Sequence, residues 1–363
     1  MKNVFKVVLL IVLSIMVIGC NKEDDPVLVP IRDYATQYAS DLDTIQKFLK
    51  THSMTVVNHP GFTDDQDVTY TVVPELDPTS IWGSNATTHN ANVLELPVEK
   101  DDITYIIYYL QLRQGSGATS KSPCNLDGVL TSYKGRLMNQ AMKVFDFNDY
   151  PQTFFNLGAV IRGWSEIFPK FKTGSYTSNL DGTISYTNFG AGVMFVPSGL
   201  AYYSNSTSDI PSYSPLVFNF KLYEVQRNDN DGDGIPSYLE DRGNSTGSTP
   251  DGYIRDNDTT YEDDTDNDGT PDAFDVDDDG DANLTKEEIK YTVSGNTFYY
   301  PYNGAAVDDL TTLLIDERKG IPRKFTGANN SNGLPMSNNP LDFTDPTRLR
   351  RHLDATAKPP FSE

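Results

Sequence analysis

Cysteine is almost absent from this chain: 363 residues contain only Cys20 and Cys124. A disulfide framework is therefore out of the question. Histidine is nearly as scarce. His52, His59, His89 and His352 fall in no ligand-like spacing and read as surface residues. Positive charge is also short, with 29 Lys and Arg against 51 Asp and Glu, a formal net charge of −22. Such a chain repels phosphate backbones, which excludes nucleic acid as a partner class. Apolar residues form one long run only, Val7 to Ile18. That run is shorter than the roughly 20 residues a bilayer span needs.

What is there begins with that run. Lys2 and Lys6 precede it and Val17-Ile18-Gly19-Cys20 closes it. This order fits a secretory signal, and its end resembles a bacterial lipobox. The resemblance implies that residues 1–20 are a lipoprotein signal peptide and that Cys20 carries the acyl chains. The expected location is then the bacterial cell envelope: lipid-anchored at the outer membrane, on its periplasmic face or at the cell surface. Lys22-Glu23-Asp24-Asp25 resembles the export tag of surface lipoproteins. With Cys20 lipidated, Cys124 stands alone, and a zinc site of four cysteines or of two cysteines and two histidines is excluded.

Residues 21–31 read as a tether. Tyr38, Leu42, Ile45 and Leu49 recur at helical spacing and predict an amphipathic helix over 33–51. The rest of 21–102 is irregular, with Pro60-Gly61 and Pro74 as breakers and weak strand signals between. From Ile103 to Leu110 the chain is β-branched and aromatic, a buried strand. Val193 to Val196 is another. In Leu216 to Val225 apolar residues alternate with Asn219 and Lys221, the pattern of a half-buried antiparallel strand. Asn228 opens an Asp-, Asn- and Gly-rich stretch ending near Lys290. Residues 291–363 read as loosely structured, with a short helix near 308–317.

Taken alone, residues 133–225 suggest an apolar aromatic pocket beside one carboxylate. Their order is more specific. Tyr133-Lys134-Gly135-Arg136-Leu137, Phe145-Asp146, Phe155-Asn156-Leu157-Gly158, Val160-Ile161-Arg162-Gly163-Trp164, Phe171-Lys172-Thr173-Gly174 and Val196-Pro197-Ser198-Gly199-Leu200-Ala201-Tyr202 follow in turn. Ile210-Pro211 and Leu216-Val217-Phe218 complete the series. This series resembles the FKBP-type peptidyl-prolyl cis-trans isomerases over residues 103–226. The resemblance implies an α+β domain in which an antiparallel β-sheet wraps a short helix. It implies Trp164 as the pocket floor and Tyr133, Phe145, Phe155, Val160, Ile161, Ile210 and Phe218 as its walls. Tyr202 would donate a hydrogen bond to a substrate carbonyl, and Asp146 would stand beside the twisting bond. Proline-containing proteins or peptides would be the clients, and catalysis would need no cofactor. The chain departs from the family in four places. Two extra residues separate Tyr133 from Phe145. Phe154 competes with Phe155 for the pocket, Tyr203 stands where Gly is usual, and 175–192 is an insertion. Asp181-Gly182 in it signals a hairpin.

The charge is local. Residues 229–288 hold 21 Asp and Glu and three Lys and Arg, a net of −18 out of −22. Asp229, Asp231, Asp233, Gly234 and Glu240 take the first, third, fifth, sixth and twelfth places of a calcium loop, with Ile235 offering its carbonyl at the seventh. A second copy runs Asp264, Asp266, Asp268, Gly269, Asp272, Asp275. A third is framed from Asp275 through Asp277, Asp279 and Gly280 to Glu287. Ile235-Pro236 and Thr270-Pro271 oppose flanking helices, so the segment over 227–290 resembles thrombospondin type 3-like repeats more than paired EF-hands. Calcium is the structural cofactor expected.

Three functional readings are left open by the residues. One is a lipid-anchored isomerase or folding helper at the envelope. Another is a non-catalytic module that holds proline-containing partners in the same cradle. A third is a calcium-dependent surface scaffold. Convergence of Asp146, Tyr202 and Trp164 on one open pocket separates the first from the others.

Overall fold

The computed structural model describes residues 30–139, 141–242, 252–254, 263–293, 295–303, 320–325 and 327–361. The signal segment, Cys20 and the helix expected near 308–317 lie outside them. Among the described residues no helix is long and apolar enough to cross a membrane.

The periodicity at 38, 42, 45 and 49 corresponds to helix α1, Tyr34–Thr51, which buries Ile45, Phe48 and Leu49. A hairpin of β1 (His52–Val56) and β2 (Val68–Val72) follows. The central sheet is antiparallel and built from β3 (Val93–Lys100), β4 (Ile103–Arg113), β5 (Gly128–Leu137), β6 (Val144–Asn148), β7 (Phe155–Asn156), β10 (Gly190–Val196) and β11 (Leu216–Gln226). Its order is β3-β4-β10-β11-β5-β6, with β7 paired to β5. The sheet therefore starts ten residues earlier than the sequence texture suggests, at Val93 rather than Ile103.

Both faces of this sheet are covered. Side chains alternate across a strand, so Tyr105, Ile107, Met194, Val196, Phe218 and Phe220 face one core with helix α2, Arg162–Ile167. Tyr108, Leu110, Val193, Phe195 and Val217 face a second core with Ile45, Phe48 and Leu49 of α1. This explains why β10 is buried at every position. It also corrects the half-buried reading of β11, where seven consecutive residues from Leu216 are buried. The polar members are satisfied inside. Asn219 accepts from Arg136 at 2.7 Å, and Lys221 donates to the Thr63 carbonyl and pairs with Asp67 at 2.6 Å.

The insertion forms a hairpin of β8 (Ser175–Ser178) and β9 (Ile184–Thr187). Gly182 at its tip has φ +84°, a conformation that favours glycine.

The described residues of the C-terminal region share a core. Tyr291, Tyr300, Ile321, Phe325 and Phe343 form a core with Ile235 and Ile289. Strands β12 (Lys290–Val293) and β13 (Asn296–Tyr299) pair, after the short helix α3, Thr285–Glu288. Arg351, wholly buried, donates to the Glu288 and Lys290 carbonyls and lies 4.0 Å over Phe361. These aromatics recur at no fixed period, which is why the sequence hides the core they make.

Candidate functional site

On the α2 side of the sheet lies a pocket of about 620 Å³ lined largely by aromatic side chains. Trp164 closes its base. Its indole is 4 % exposed and is met edge-on by Tyr133 at 4.9 Å, Phe155 at 5.8 Å and Phe218 at 5.5 Å. Edge-to-face geometry places the positive ring edge on the negative face of its neighbour, which fixes the aromatics relative to one another. The indole Nε1 is buried without a hydrogen-bond partner.

Three glycines let these rings converge. A Cβ on Gly135 would lie 2.5 Å from Phe145 and 2.8 Å from Phe218. One on Gly163 would meet Val196 at 2.5 Å, so α2 could not settle on the sheet. One on Gly199 would strike the Tyr105 hydroxyl at 2.3 Å and its ring at 2.6 Å.

The pocket brings together Tyr133, Phe145, Asp146, Phe155, Val160, Ile161, Trp164, Tyr202 and Phe218. Ile210 is the exception: it is 4 % exposed and sits in the core, off the lining. Phe155, not Phe154, enters the pocket, and the 175–192 hairpin does not reach it. The Tyr133 hydroxyl donates to Asp146 at 2.7 Å. Burial first, then this bond to a carboxylate, pushes the Tyr133 phenol well up from its usual range. Tyr202 stands at the mouth, 36 % exposed, its phenol raised by burial and by the Asp146 charge.

Sequence reasoning missed the rim. Tyr34, Lys100 and Asn205 also line the pocket, beside the Tyr203 that the sequence flags. Tyr203 takes φ +49°, a left-handed conformation that favours glycine. It stacks on Tyr34 at 4.6 Å, so it widens the rim instead of plugging the cavity. Helix α1 also holds the loop that presents Tyr202. Buried Asp41 accepts from the Ser198 amide at 2.7 Å and hydroxyl at 2.6 Å, while Gln37 donates to its other oxygen at 2.7 Å. No local signal marks Asp41 as the support of this loop; Ser198 is 157 residues away.

The acidic segment folds into three turns with one shared device. The amide at the sixth place donates to the carboxylate at the first: Gly234 to Asp229 at 3.2 Å, Gly269 to Asp264 at 2.9 Å and Ala282 to Asp277 at 2.9 Å. The third loop is thus framed from Asp277, two residues later than the sequence frame from Asp275. Ala282 adopts φ +73° at the turn, and the twelfth place is Glu288. Glu287 instead points outward and pairs with Lys290. Asp275 accepts the Asp277 amide at 3.0 Å and belongs to none of the acidic clusters.

Those clusters are Asp231, Asp233, Glu240 and Asp278; Asp264, Asp266 and Asp268; and Asp277, Asp279 and Asp281. In each, carboxylate oxygens lie within 4.8 Å of one another, close enough to hold a metal ion. Ile235 places its side chain in the C-terminal core, and its amide donates to Asp233 at 2.7 Å. Burial and neighbouring carboxylates push Glu240 up to about 11, Asp278 to about 10 and Glu288 to about 9. The oxygens are hard donors, the chemistry of calcium or magnesium and not of softer metals.

The chain's similarities to known proteins fall in two parts. Residues 228–313 match the BamM C-terminal family. Among solved structures, similarity is to a peptidyl-prolyl cis-trans isomerase from Pseudomonas syringae pv. tomato, at 28% identity over 38% of this chain and 84% of that one, TM-score 0.29. It is also to FkpA from Escherichia coli, at 26% identity over 38% of this chain and 53% of that one, TM-score 0.28. AtFKBP13 is similar at 24% identity over 32% of this chain and 91% of that one, TM-score 0.25. No curated protein matches the chain.

Proposed function

We propose that the chain is a peptidyl-prolyl cis-trans isomerase of the FKBP type, a folding helper acting on proline-containing clients. The observation that carries this reading is the convergence of Trp164, the Tyr133–Asp146 pair and Tyr202 on one open apolar pocket. An Xaa-Pro bond rotates slowly because amide resonance opposes the twist. Twisting removes that resonance and leaves a less polar, ketone-like carbonyl. A cradle of Trp164, Tyr133, Phe155 and Phe218 accommodates the proline ring and favours the twisted amide over the planar one, which is differential binding of the transition state. Tyr202, at the mouth, donates to the client carbonyl. Asp146, held by the Tyr133 hydroxyl, offers its free oxygen beside the rotating bond. Nothing in this sequence of events needs a nucleophile.

The test is isomerisation of Xaa-Pro peptides by the full chain in detergent. Tyr202→Phe is expected to lower kcat/KM about three- to tenfold, the value of one hydrogen bond of roughly 1 kcal/mol. Asp146→Ala is expected to cost about tenfold with circular dichroism unchanged. Tight peptide binding by wild type with no acceleration would leave a non-catalytic binding module instead.

The same reading places the chain at the bacterial cell envelope through acylated Cys20, with the acidic turns holding calcium. Cys20→Ala is expected to move the protein from the membrane fraction to the soluble one. Retention of that variant, with no acyl label on wild type, would remove the anchor from the account.

A further inference from the structure

The second member of the third acidic turn does not point where its neighbours do. Asp277 and Asp279 contribute to a cluster with Asp281, whereas Asp278, between them, joins Asp231, Asp233 and Glu240 of the first turn. Asp278 and Asp279 are the central residues of a turn closed by the Gly280 amide on the Asp277 carbonyl at 3.0 Å, and across this turn one Asp-Asp-Asp run serves two clusters. Glu240 and Asp278 are 38 residues apart in the chain.

This mixed cluster differs from an ordinary acidic patch in what surrounds it. Asp233, Glu240 and Asp278 are 2 %, 5 % and 2 % exposed. Both oxygens of Glu240, both of Asp278 and one each of Asp231 and Asp233 are buried with no hydrogen-bond partner. Among the described residues no Lys, Arg or His forms an ion pair with any of the four; Arg242 instead reaches Asp272, at 3.9 Å. A buried carboxylate without a donor is costly, and four together repel. The remaining oxygens, by contrast, are committed to shaping the turns: Asp231 accepts from the Asp233 amide at 3.1 Å and Asp233 from the Ile235 amide. Asp278 is positioned by its own amide, which donates to Thr285 Oγ1 at 3.1 Å.

We infer that Asp231, Asp233, Glu240 and Asp278 form one cross-turn divalent-cation site, with Asp278 as a ligand supplied from the third turn to the first. The inference rests on the calcium reading above and deepens it. Six inward oxygens without donors suit the six to eight oxygen ligands of calcium better than the water-rich shell of magnesium. The site joins both ends of the stretch from 241 to 277. The middle of that stretch is seated on the pocket domain. The Asn125 side chain exchanges two bonds with Ile254, at 2.9 and 2.7 Å, and the Tyr253 hydroxyl donates to the Glu166 carbonyl of α2 at 2.6 Å. Tyr238 and Phe274, from the first and second turns, pack on Cys124 and Leu126. Cation binding at this site therefore clamps the acidic segment onto the back of the helix that carries Trp164.

Calcium titration calorimetry and thermal unfolding of the full chain in detergent test this, comparing wild type with Asp278→Asn and Glu240→Gln. Asp278→Asn is nearly isosteric and removes an acid that, without a cation, must either carry a repelling charge or take up a proton. It is expected to unfold at a higher temperature than wild type in chelator, to gain less from calcium, and to weaken one class of sites tenfold or more. Glu240→Gln, on the same site, is expected to behave alike. If wild type binds calcium and Asp278→Asn gives the same isotherm and the same calcium-dependent shift, Asp278 is no ligand and the cross-turn site is wrong while the calcium reading stands. If wild type takes up no calcium at millimolar concentration, the calcium reading itself fails.

Discussion

Trp164→Ala is expected to abolish most isomerase activity, lowering kcat/KM on Xaa-Pro peptides by about 100-fold or more, equivalent to roughly 2.7 kcal/mol of lost transition-state stabilisation. The indole is the base on which Tyr133, Phe155 and Phe218 rest edge-on. Without it, water enters and the three rings lose the contact that aims them. Truncating a buried Trp also costs about 3–5 kcal/mol of stability, or roughly 6–20 °C in a unit of this size. Trp164→Phe separates the two effects. It keeps an aromatic floor, and because the Trp164 Nε1 makes no hydrogen bond, no polar partner is orphaned. That variant is expected to stay folded and retain activity within about tenfold of wild type. A Trp164→Ala protein that is folded and fully active would remove Trp164 from the mechanism.

Removal of calcium is expected to lower stability by an amount comparable to the loss of the Trp164 indole. At free calcium a thousandfold above Kd, binding adds about 4 kcal/mol, so chelation is expected to lower Tm by roughly 8–16 °C. The pH dependence has a defined sign in the chelated protein. Glu240, Asp278 and Glu288 have folded-state values raised to about 11, 10 and 9, far above those of an unfolded chain. The folded state therefore binds more protons. Its stability is greatest below the ordinary carboxylate range and falls as pH rises through the interval up to about 9–11. With calcium present the trend is opposed, because the cation binds the deprotonated form and its affinity grows with pH. Thermal melts at pH 5, 7 and 9, with calcium and with chelator, read both effects. A chelated protein that becomes more stable from pH 5 to 9 would contradict the burial of these acids.

Much of the pocket was legible because its residues come from short segments whose order survives in the chain. Phe145-Asp146 on β6, Val160-Ile161 before α2, and Trp164 within it needed only local reading. What was hidden came from contacts remote in sequence. Tyr34 and Lys100 reach the rim because α1 packs on the sheet and β3 forms its edge, and Asp41 supports the Ser198 turn across 157 residues. Ile210 was misplaced because a buried aliphatic side chain beside a pocket and one lining it look alike in sequence. The third acidic turn was misframed for a different reason. With Asp at 275, 277, 279 and 281, every second position offers a possible start. Gly280 marks the frame from Asp275, whereas the chain uses Ala282, at φ +73°, for the bend. The same alternation conceals that Asp278 turns toward the first loop. Likewise, β11 reads as half-buried only until α1 is placed on its second face.

Exchange NMR tests most directly whether this pocket twists a prolyl bond. A short Xaa-Pro peptide gives separate cis and trans resonances, and the uncatalysed interconversion takes tens to hundreds of seconds. Catalytic amounts of the full chain in detergent are expected to bring exchange cross-peaks into the subsecond range, with Trp164→Ala returning them to the uncatalysed rate. A folded wild-type protein that leaves the cis–trans exchange of every Xaa-Pro peptide unchanged would contradict the isomerase reading.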